Sequence, residues 1–315
     1  MGYDCIIVGG GPAGLSAALM LGRCLRRVLL CDAGEQRNAR SHGIHGYLTR
    51  DGTTPEEFLR LARAELERYE TVELRGATIA DAVAIPGGFA VTASDGTRAE
   101  GRKLLLATGV VDELPEIDGL EPLYGTSVHH CPYCDAWEWR DQPVAVYGRG
   151  EPASGLALVL AWWCPDLVLC TDGPAGIADE HLERLAREGI EVREEPVARL
   201  EGRDGRLERV VFGTGDSLPR SALFFAGGQR QRSPLPERLG CRLTERGAVD
   251  TGHCEATNVP GLYVAGDASK EAQFVAVAAA EGAEAGMAIH RALLAEDISR
   301  AGEPRHRSTP APVRS

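Results

Sequence analysis

A strand, a glycine-rich turn, a helix and a second strand ending in an acid occupy the first 32 residues, and this order constrains the fold most. The apolar run Asp4 to Val8 leads into a G-x-G-x-x-G pattern that starts at Gly9, and the run Arg27 to Cys31 ends at Asp32. Such glycines let the backbone approach a pyrophosphate at a helix N-terminus, while the acid can bind a ribose hydroxyl. The segment predicts a dinucleotide-binding α/β domain. A turn whose glycines serve packing alone is the alternative.

The same plan recurs near the middle of the chain. The apolar run Pro143 to Tyr147 leads into a G-x-G-x-x-A pattern over residues 148–153, and the run Leu167 to Cys170 leads to Asp172. Two such units predict an α/β fold of two Rossmann-like, three-layer domains. Selection for NADPH usually needs an arginine near the end of the second strand, whereas residues 169–174 contain no basic side chain and Asp172 would repel a phosphate. NAD(P)H binding at the second unit is therefore doubtful.

Between the two units lies the only closely spaced cysteine pair, Cys131 and Cys134, with His129 and His130 before it and Asp135 after it. Two thiols at this spacing can form a disulfide or react singly, and backbone N–H groups and an imidazolium favour the thiolate form of the first. Cys131 is the expected nucleophile, and Asp135 can move protons. The alternatives are two unrelated core cysteines or a structural zinc site, which would need four ligands. We expect redox chemistry and no metal site.

Small or polar residues follow several predicted elements where a ligand could be bound. The loop at residues 41–52 is rich in His and Gly, and loops of this kind commonly contact ligands. The small residues 107–109 directly follow the apolar run Leu104-Leu105-Leu106, and another predicted buried strand ends at residues 266–267. We expect these residues to contact the cofactor: Gly9, Gly11, Pro12, Ala13, Gly14, Asp32, Arg37, Asn38, His45, Ala107, Thr108, Gly109, Gly266, Asp267, Gln273 and Phe274.

Composition and charge exclude several other classes of protein. With 315 residues, 43% of them hydrophobic, the chain can bury two cores. A net charge of -12 argues against nucleic acid or an anionic membrane as partner. No apolar run approaches the roughly 18 residues that span a bilayer. The start, Met1-Gly2-Tyr3-Asp4, lacks the basic residues of a signal peptide, so we expect a cytoplasmic protein. Residues 300–315 lack periodicity and are expected to be disordered.

Taken together, these landmarks resemble the low-molecular-weight thioredoxin reductase family over residues 3 to about 295. The resemblance implies that FAD is held by residues 1–114 and 246–299, and that residues 115–245 form an NAD(P)-binding-like domain carrying the cysteine pair. It also implies a homodimer. By the same resemblance Cys134 faces the flavin, Cys131 exchanges with the substrate and Asp135 serves as the acid.

Two features look closer to one branch of this family, the dithiol oxidases that install disulfides in small natural products such as gliotoxin and holomycin. They are the His-Cys-Pro-Tyr-Cys pattern at residues 130–134 and the segment from Ser41 to Leu48, while the missing basic residues at 169–174 are a departure from the reductases. This branch implies a small-molecule dithiol as substrate, His129 or His130 as its base, and O2 as the acceptor that yields H2O2. Two alternatives stay open, an NAD(P)H-dependent reductase of thioredoxin or a small disulfide, and a flavin-bearing redox sensor.

Overall fold

The computed structural model of the chain describes residues 2–270 and 272–300. In this part of the chain the strands are β1 (Tyr3–Val8), β2 (Val28–Asp32), β3 (Val72–Gly76), β4 (Ile79–Ile85), β5 (Gly88–Ala93), β6 (Arg98–Leu106), β7 (Val110–Asp112), β8 (Val128–His129), β9 (Val144–Tyr147), β10 (Leu167–Cys170), β11 (Glu191–Arg193), β12 (Val197–Arg203), β13 (Arg206–Phe212), β14 (Ser217–Pro219), β15 (Ala222–Phe225), β16 (Gln229–Gln231) and β17 (Leu262–Val264). The α-helices are α1 (Pro12–Arg23), α2 (Pro55–Leu66), α3 (Pro132–Asp135), α4 (Gly150–Leu160), α5 (Asp179–Arg187), α6 (Leu235–Arg238) and α7 (Val275–Arg300).

The first sheet is built around β1 and the long strand β6. Its parallel part runs in the order β3, β2, β1 and β6. The second half of β6 pairs in parallel with β17, while its first half pairs with the antiparallel β5 and so with β4. The run Leu104-Leu105-Leu106 in β6 is fully buried, because a parallel strand is covered on both of its faces.

The second sheet follows the same plan. Strands β11, β10, β9, β15 and β8 lie side by side and pair in parallel. Helices α4 and α5 bury one face, and the antiparallel β12, β13 and β14 contribute to the core on the other. The prediction of an α/β fold with two Rossmann-like units is thereby confirmed.

A short antiparallel ladder joins the two places where the chain passes between the sheets. β7 leaves the first sheet after β6, β16 follows the last strand of the second sheet, and Asp112 pairs with Gln229. No sequence pattern predicted this ladder, since each of its strands has three residues. The domain limits proposed from the sequence, 1–114 with 246–299 and 115–245, stay predictions.

Helix α7 extends to the last of the described residues, Arg300. The sequence predicts a disordered tail from residue 300, but α7 includes Arg300. Two ion pairs hold its last turns, because Asp297 accepts from Arg26 at 2.7 Å and from Arg102 at 2.8 Å. The assignment of residue 300 to a disordered tail was therefore wrong, and residues 301–315 lie outside the described residues. Among the described helices, none has the length and apolarity to cross a membrane.

Helices α1 and α7 pack closely because α7 presents glycines to α1. A Cβ atom at Gly282 would overlap the carbonyl oxygen of Ala13, and one at Gly286 would lie 2.9 Å from the Cβ of Met20. The close packing brings α7 against the first helical turn after the glycine motif. Gly155 in α4 is different, since no atom outside the adjacent backbone of α4 lies within 4 Å of a Cβ built there.

We predict opposite effects for two glycine-to-alanine changes. Gly282→Ala forces α7 away from α1 and lowers the free energy of unfolding by about 1–3 kcal/mol. The matched control, Gly155→Ala, raises it by roughly 0.5–1 kcal/mol, because alanine favours a helix interior. Urea unfolding followed by circular dichroism measures both. Equal stability of the two variants would contradict the packing described here.

Candidate active site

A cavity of about 810 Å³ extends from the first glycine turn to the cysteine pair. This volume is large for a small-molecule or cofactor site, which commonly measures about 300–1,000 Å³. All the residues expected to contact a cofactor line the cavity except Gly14, which instead packs under the turn against the backbone of Gly9. The five residues expected to carry the chemistry also line it: His129, His130, Cys131, Cys134 and Asp135.

The first glycine turn leaves open space where a ligand can lie. Gly9 has a φ of 113°, and a Cβ there would overlap the carbonyl oxygen of Ala107, whereas a Cβ at Gly10 would overlap the Asp32 side chain. At Gly11, no atom beyond the residue itself and its two chain neighbours lies within 4 Å of such a Cβ. In the same wall, the buried hydroxyl of Thr108 has no hydrogen-bond partner. An open backbone cradle and an unpaired hydroxyl fit the phosphates and sugar of a dinucleotide.

Asp32, the expected ribose ligand, is held by the loops around it. Its Oδ1 accepts from the backbone N–H groups of Gly10 at 3.3 Å and Gly34 at 3.1 Å. Its Oδ2 accepts from Arg63 in α2 at 2.7 Å, a contact that the sequence did not suggest. The carboxylate therefore reaches the cavity in one fixed orientation.

Arg37 connects the cofactor cavity to the redox segment, residues 129–135, which carries the cysteine pair. Its guanidinium donates to both carboxylate oxygens of Asp112, to Asp267 at 2.9 Å and to Gln273 at 2.5 Å, and it lies 3.1 Å from Nε2 of His130. Burial by itself would lower the pKa of Arg37, but hydrogen bonds and charges from the two aspartates raise it. Arg37 thus stays charged and ties together residues that are far apart in sequence.

His130 lies within this cluster and is held neutral. Burial lowers its pKa, and the positive charge of Arg37 acts in the same direction, while Asp112 opposes them. The Tyr124 hydroxyl donates to Asp112 at 2.7 Å and its oxygen lies 3.4 Å from Nδ1 of His130. Both ring nitrogens of His130 therefore face partners. Sequence reasoning missed Asp112 and Tyr124, because no motif contains them.

His129 is more deeply buried, with 5% of its surface exposed. Its Nε2 accepts from the indole N–H of Trp139 at 3.0 Å, so Nδ1 carries the proton, 3.4 Å from Oδ1 of Asp135. Burial lowers the pKa of His129 to about 3. The ring is consequently neutral at physiological pH and orients Asp135.

The redox segment brings two sulfurs and a carboxyl group to the cavity wall. Cys131 and Cys134 form a disulfide across the first turn of α3, with Cα atoms 5.3 Å apart. Burial, together with the charge of Glu138 and against that of His45, raises the pKa of Asp135 to about 7. Asp135 can therefore both take up and release a proton near neutral pH. Among the described residues no cluster of His, Cys, Asp or Glu could hold a metal ion.

The second glycine turn differs from the first at two positions. Where the first turn has Gly10, the second has Arg149, whose Nε donates to the carbonyl of Thr171 at 2.7 Å and whose Nη2 donates to the carbonyl of Asp172. Where the first helix begins with Pro12, the second carries Glu151 in its first turn.

The Arg149 side chain thus lies across the end of β10, where a dinucleotide site binds its ribose. The Asp172 carboxylate there accepts from the hydroxyl of Tyr147 at 3.2 Å and from the N–H of Val197 at 2.8 Å.

Comparison with known proteins gives consistent results. The sequence profile of the pyridine nucleotide-disulphide oxidoreductase family matches residues 3–282. A probable thioredoxin reductase of Arthroderma benhamiae is 30% identical over 304 residues, which cover 85% of this chain and 74% of the relative. The crystal structure of HlmI has a TM-score of 0.91 at 34% identity and covers 95% of both chains. A putative thioredoxin reductase TrxB from Bacillus anthracis has a TM-score of 0.89 at 32% identity, over 94% of this chain and 99% of that one.

We predict that filling the open side of the first turn removes bound flavin, which this family implies. The backbone at Gly11 is extended, with φ of -77° and ψ of -175°, so valine fits without strain. Gly11→Val should place methyl groups in the cradle and weaken flavin binding at least about tenfold, which equals about 1.4 kcal/mol. The ratio of absorbance at 450 and 280 nm of the purified protein measures this. The control, Gly76→Val at the exposed end of β3, should stay yellow. Full flavin in Gly11→Val would contradict the assignment.

Proposed function

This chain belongs to the pyridine nucleotide-disulphide oxidoreductase family, and within it we propose a FAD-dependent dithiol oxidase. The chain is a thiol-disulfide oxidoreductase, as its family and relatives indicate. The proposal adds a direction and an acceptor, with a small-molecule dithiol as the electron donor and O2 as the acceptor. The balanced reaction is R(SH)2 + O2 → RS2 + H2O2, in which the product carries an intramolecular disulfide.

The observation that carries the direction is the second glycine turn. A nicotinamide dinucleotide would need its ribose where the guanidinium of Arg149 binds the carbonyls of Thr171 and Asp172. Glu151, an exposed residue in the first turn of α4, adds a negative charge near the helix N-terminus, which is unfavourable to an anion. The half-exposed side chain of Arg149 lies where that ribose would bind, and this position supports electrons that enter from a thiol substrate.

The chemistry at the sulfurs requires two exchanges. A substrate thiolate attacks Sγ of Cys131, the bond between Cys131 and Cys134 breaks, and the Cys134 thiolate leaves. The second thiolate of the same substrate then attacks the substrate sulfur of the mixed disulfide and releases the Cys131 thiolate. The substrate leaves as a disulfide, and the cysteine pair holds two electrons.

We assign the removal of the substrate proton to Asp135. Both candidates from the sequence, His129 and His130, have a lowered pKa and ring nitrogens that face partners. The pKa of Asp135 is raised to about 7, and its carboxyl group shares the cavity wall with both sulfurs. A base with a pKa near the ambient pH is the most effective at neutral pH.

The first glycine turn and its neighbours would hold FAD. The backbone from Gly9 to Gly11 fits the pyrophosphate, and the free hydroxyl of Thr108 offers a polar contact. Asp267, fixed by Arg37, lines the same wall. A bound FAD supplies two-electron acceptance from the reduced cysteine pair and reaction with O2.

The second candidate is a nicotinamide-dependent reductase of thioredoxin or of a small disulfide. The names of the relatives favour it, since several are thioredoxin reductases. A homodimer and a cytoplasmic location stay predictions from the sequence.

We predict that a dithiol alone reduces the yellow protein. Under anaerobic conditions dithiothreitol should bleach the flavin band near 450 nm within the time of mixing by hand, and air should restore it with formation of H2O2. NADH and NADPH should bleach it at least about a hundredfold more slowly, because Arg149 closes the second site. Rapid bleaching by either nicotinamide would establish the reductase instead.

We also predict that each cysteine of the pair is required. Cys131→Ser and Cys134→Ser remove one sulfur of the disulfide, so dithiol turnover should fall by at least about a thousandfold while the flavin stays bound. Oxygen uptake with dithiothreitol as donor measures the loss. Cys254→Ser is the matched control, since this partly exposed thiol lies outside the cavity. Retained turnover in either variant of the pair would refute the mechanism.

A further inference from the structure

We propose that Glu281 is a positioning residue of the cofactor site, because it holds the turn of Gly266 and Asp267 by the backbone N–H of Gly266. Through this turn it positions Asp267, and with it Arg37, at the wall of the cofactor cavity. The inference rests on the proposed function only in taking FAD as the cofactor. It is independent of the direction of electron flow.

The end of β17 creates the need for a side-chain acceptor. Ala265, the residue after the strand, still donates its N–H to the carbonyl of Leu106 in β6 at 3.1 Å. The N–H of Gly266 lies beyond this ladder and donates instead to Oε2 of Glu281 at 2.7 Å. A buried N–H group without an acceptor is unfavourable, so the turn depends on a side chain from α7.

Glu281 is a buried carboxyl group in a part of α7 that otherwise buries small residues. Only 6% of its surface is exposed, and the nearest buried positions of the helix are Ala278, Gly282 and Ala285. Among the described residues its only hydrogen bond is the one to Gly266. Burying a carboxyl group is costly unless a polar contact compensates for it, and the turn supplies that contact.

The other side of the turn faces the first glycine cradle. Gly266 has a φ of 82°, and a Cβ there would lie 3.0 Å from the Cβ of Ala13 in the first turn of α1. The next residue, Asp267, accepts from Arg37 at 2.9 Å and lines the cavity. A shift of the turn would therefore move a cavity wall that packs on the cradle and binds Arg37.

The charges around Glu281 show that the contact requires an acceptor rather than a charge. The pKa of Glu281 is raised to about 7, chiefly by burial. The charges of Glu255 and Asp267 also raise it, whereas the N–H of Gly266 and the charge of Lys270 lower it. Both protonation states are thus populated near neutral pH, and each has an oxygen that can accept from Gly266.

The test measures FAD binding to the full chain and compares three changes at this position. Bound FAD is removed, the apoprotein is titrated with FAD, and the change in flavin fluorescence gives the dissociation constant. Visible circular dichroism of the saturated protein reports the surroundings of the flavin.

The three changes separate the acceptor from the charge. Glu281→Gln keeps an oxygen at the same reach, so the FAD affinity should stay within about threefold of the wild type. Glu281→Asp keeps the charge but is one methylene shorter, and Glu281→Met fills the space without an acceptor. Both should weaken FAD binding at least about tenfold, which equals about 1.4 kcal/mol, and change the visible circular dichroism of the flavin.

Glu284→Met is the matched control, since Glu284 is an exposed glutamate three positions further along the same helix. It should match the wild type in FAD affinity and in spectrum. Urea unfolding of each apoprotein tests the fold, and if Glu281→Met does not fold, the comparison of Glu281→Asp with Glu281→Gln decides.

Wild-type FAD affinity in both Glu281→Asp and Glu281→Met would overturn the proposal. Weak binding in Glu281→Gln would overturn it as well, because the charge and not the acceptor would then be required. The readout is binding without turnover, so rapid bleaching by NADPH would refute the oxidase without bearing on Glu281.

Discussion

The cluster around Arg37 is the interaction on which the arrangement of the site depends. Its guanidinium binds Asp112 from the ladder, Asp267 from the turn after β17, and Gln273 from the start of the segment that leads into α7. It also contacts His130, the residue before the redox disulfide. One buried cation therefore joins the cofactor cavity to the disulfide. Because a buried charge without partners is very costly, each of these contacts requires the others.

The two glycine turns show that one supersecondary structure can present different groups to a ligand. Both have the strand, turn, helix and strand order, and both end near an aspartate. The first turn presents only backbone, because a side chain at Gly10 would overlap Asp32. The second accepts Arg149, whose side chain then binds the carbonyls that a ribose would approach. The two turns thus differ at this position, where the first has no side chain and the second has the half-exposed side chain of Arg149.

Local sequence patterns predicted the main units of this fold. They did not predict the contacts between segments that are distant in the sequence. Each of these patterns lies within a short window of sequence, so residue type and spacing identify it. They are the glycine motifs, apolar runs such as Leu104 to Leu106, and the cysteine pair. The ladder of β7 and β16 pairs residues 117 positions apart at Asp112 and Gln229, and neither strand has a pattern of its own. The end of α7 depended on Arg26 and Arg102, which lie elsewhere in the chain.

The histidines illustrate why residue type alone does not indicate which group near the cysteine pair has a pKa near neutral pH. An imidazole has an ordinary pKa near 6.5 and a carboxyl group near 4, so the sequence favours His129 or His130 at neutral pH. Burial disfavours the charged form of both groups, and it therefore shifts them in opposite directions. The pKa of His129 falls to about 3, whereas that of Asp135 rises to about 7. In this buried part of the cavity wall the usual order of the two pKa values is therefore reversed, which is the physical basis for proposing Asp135 as the base.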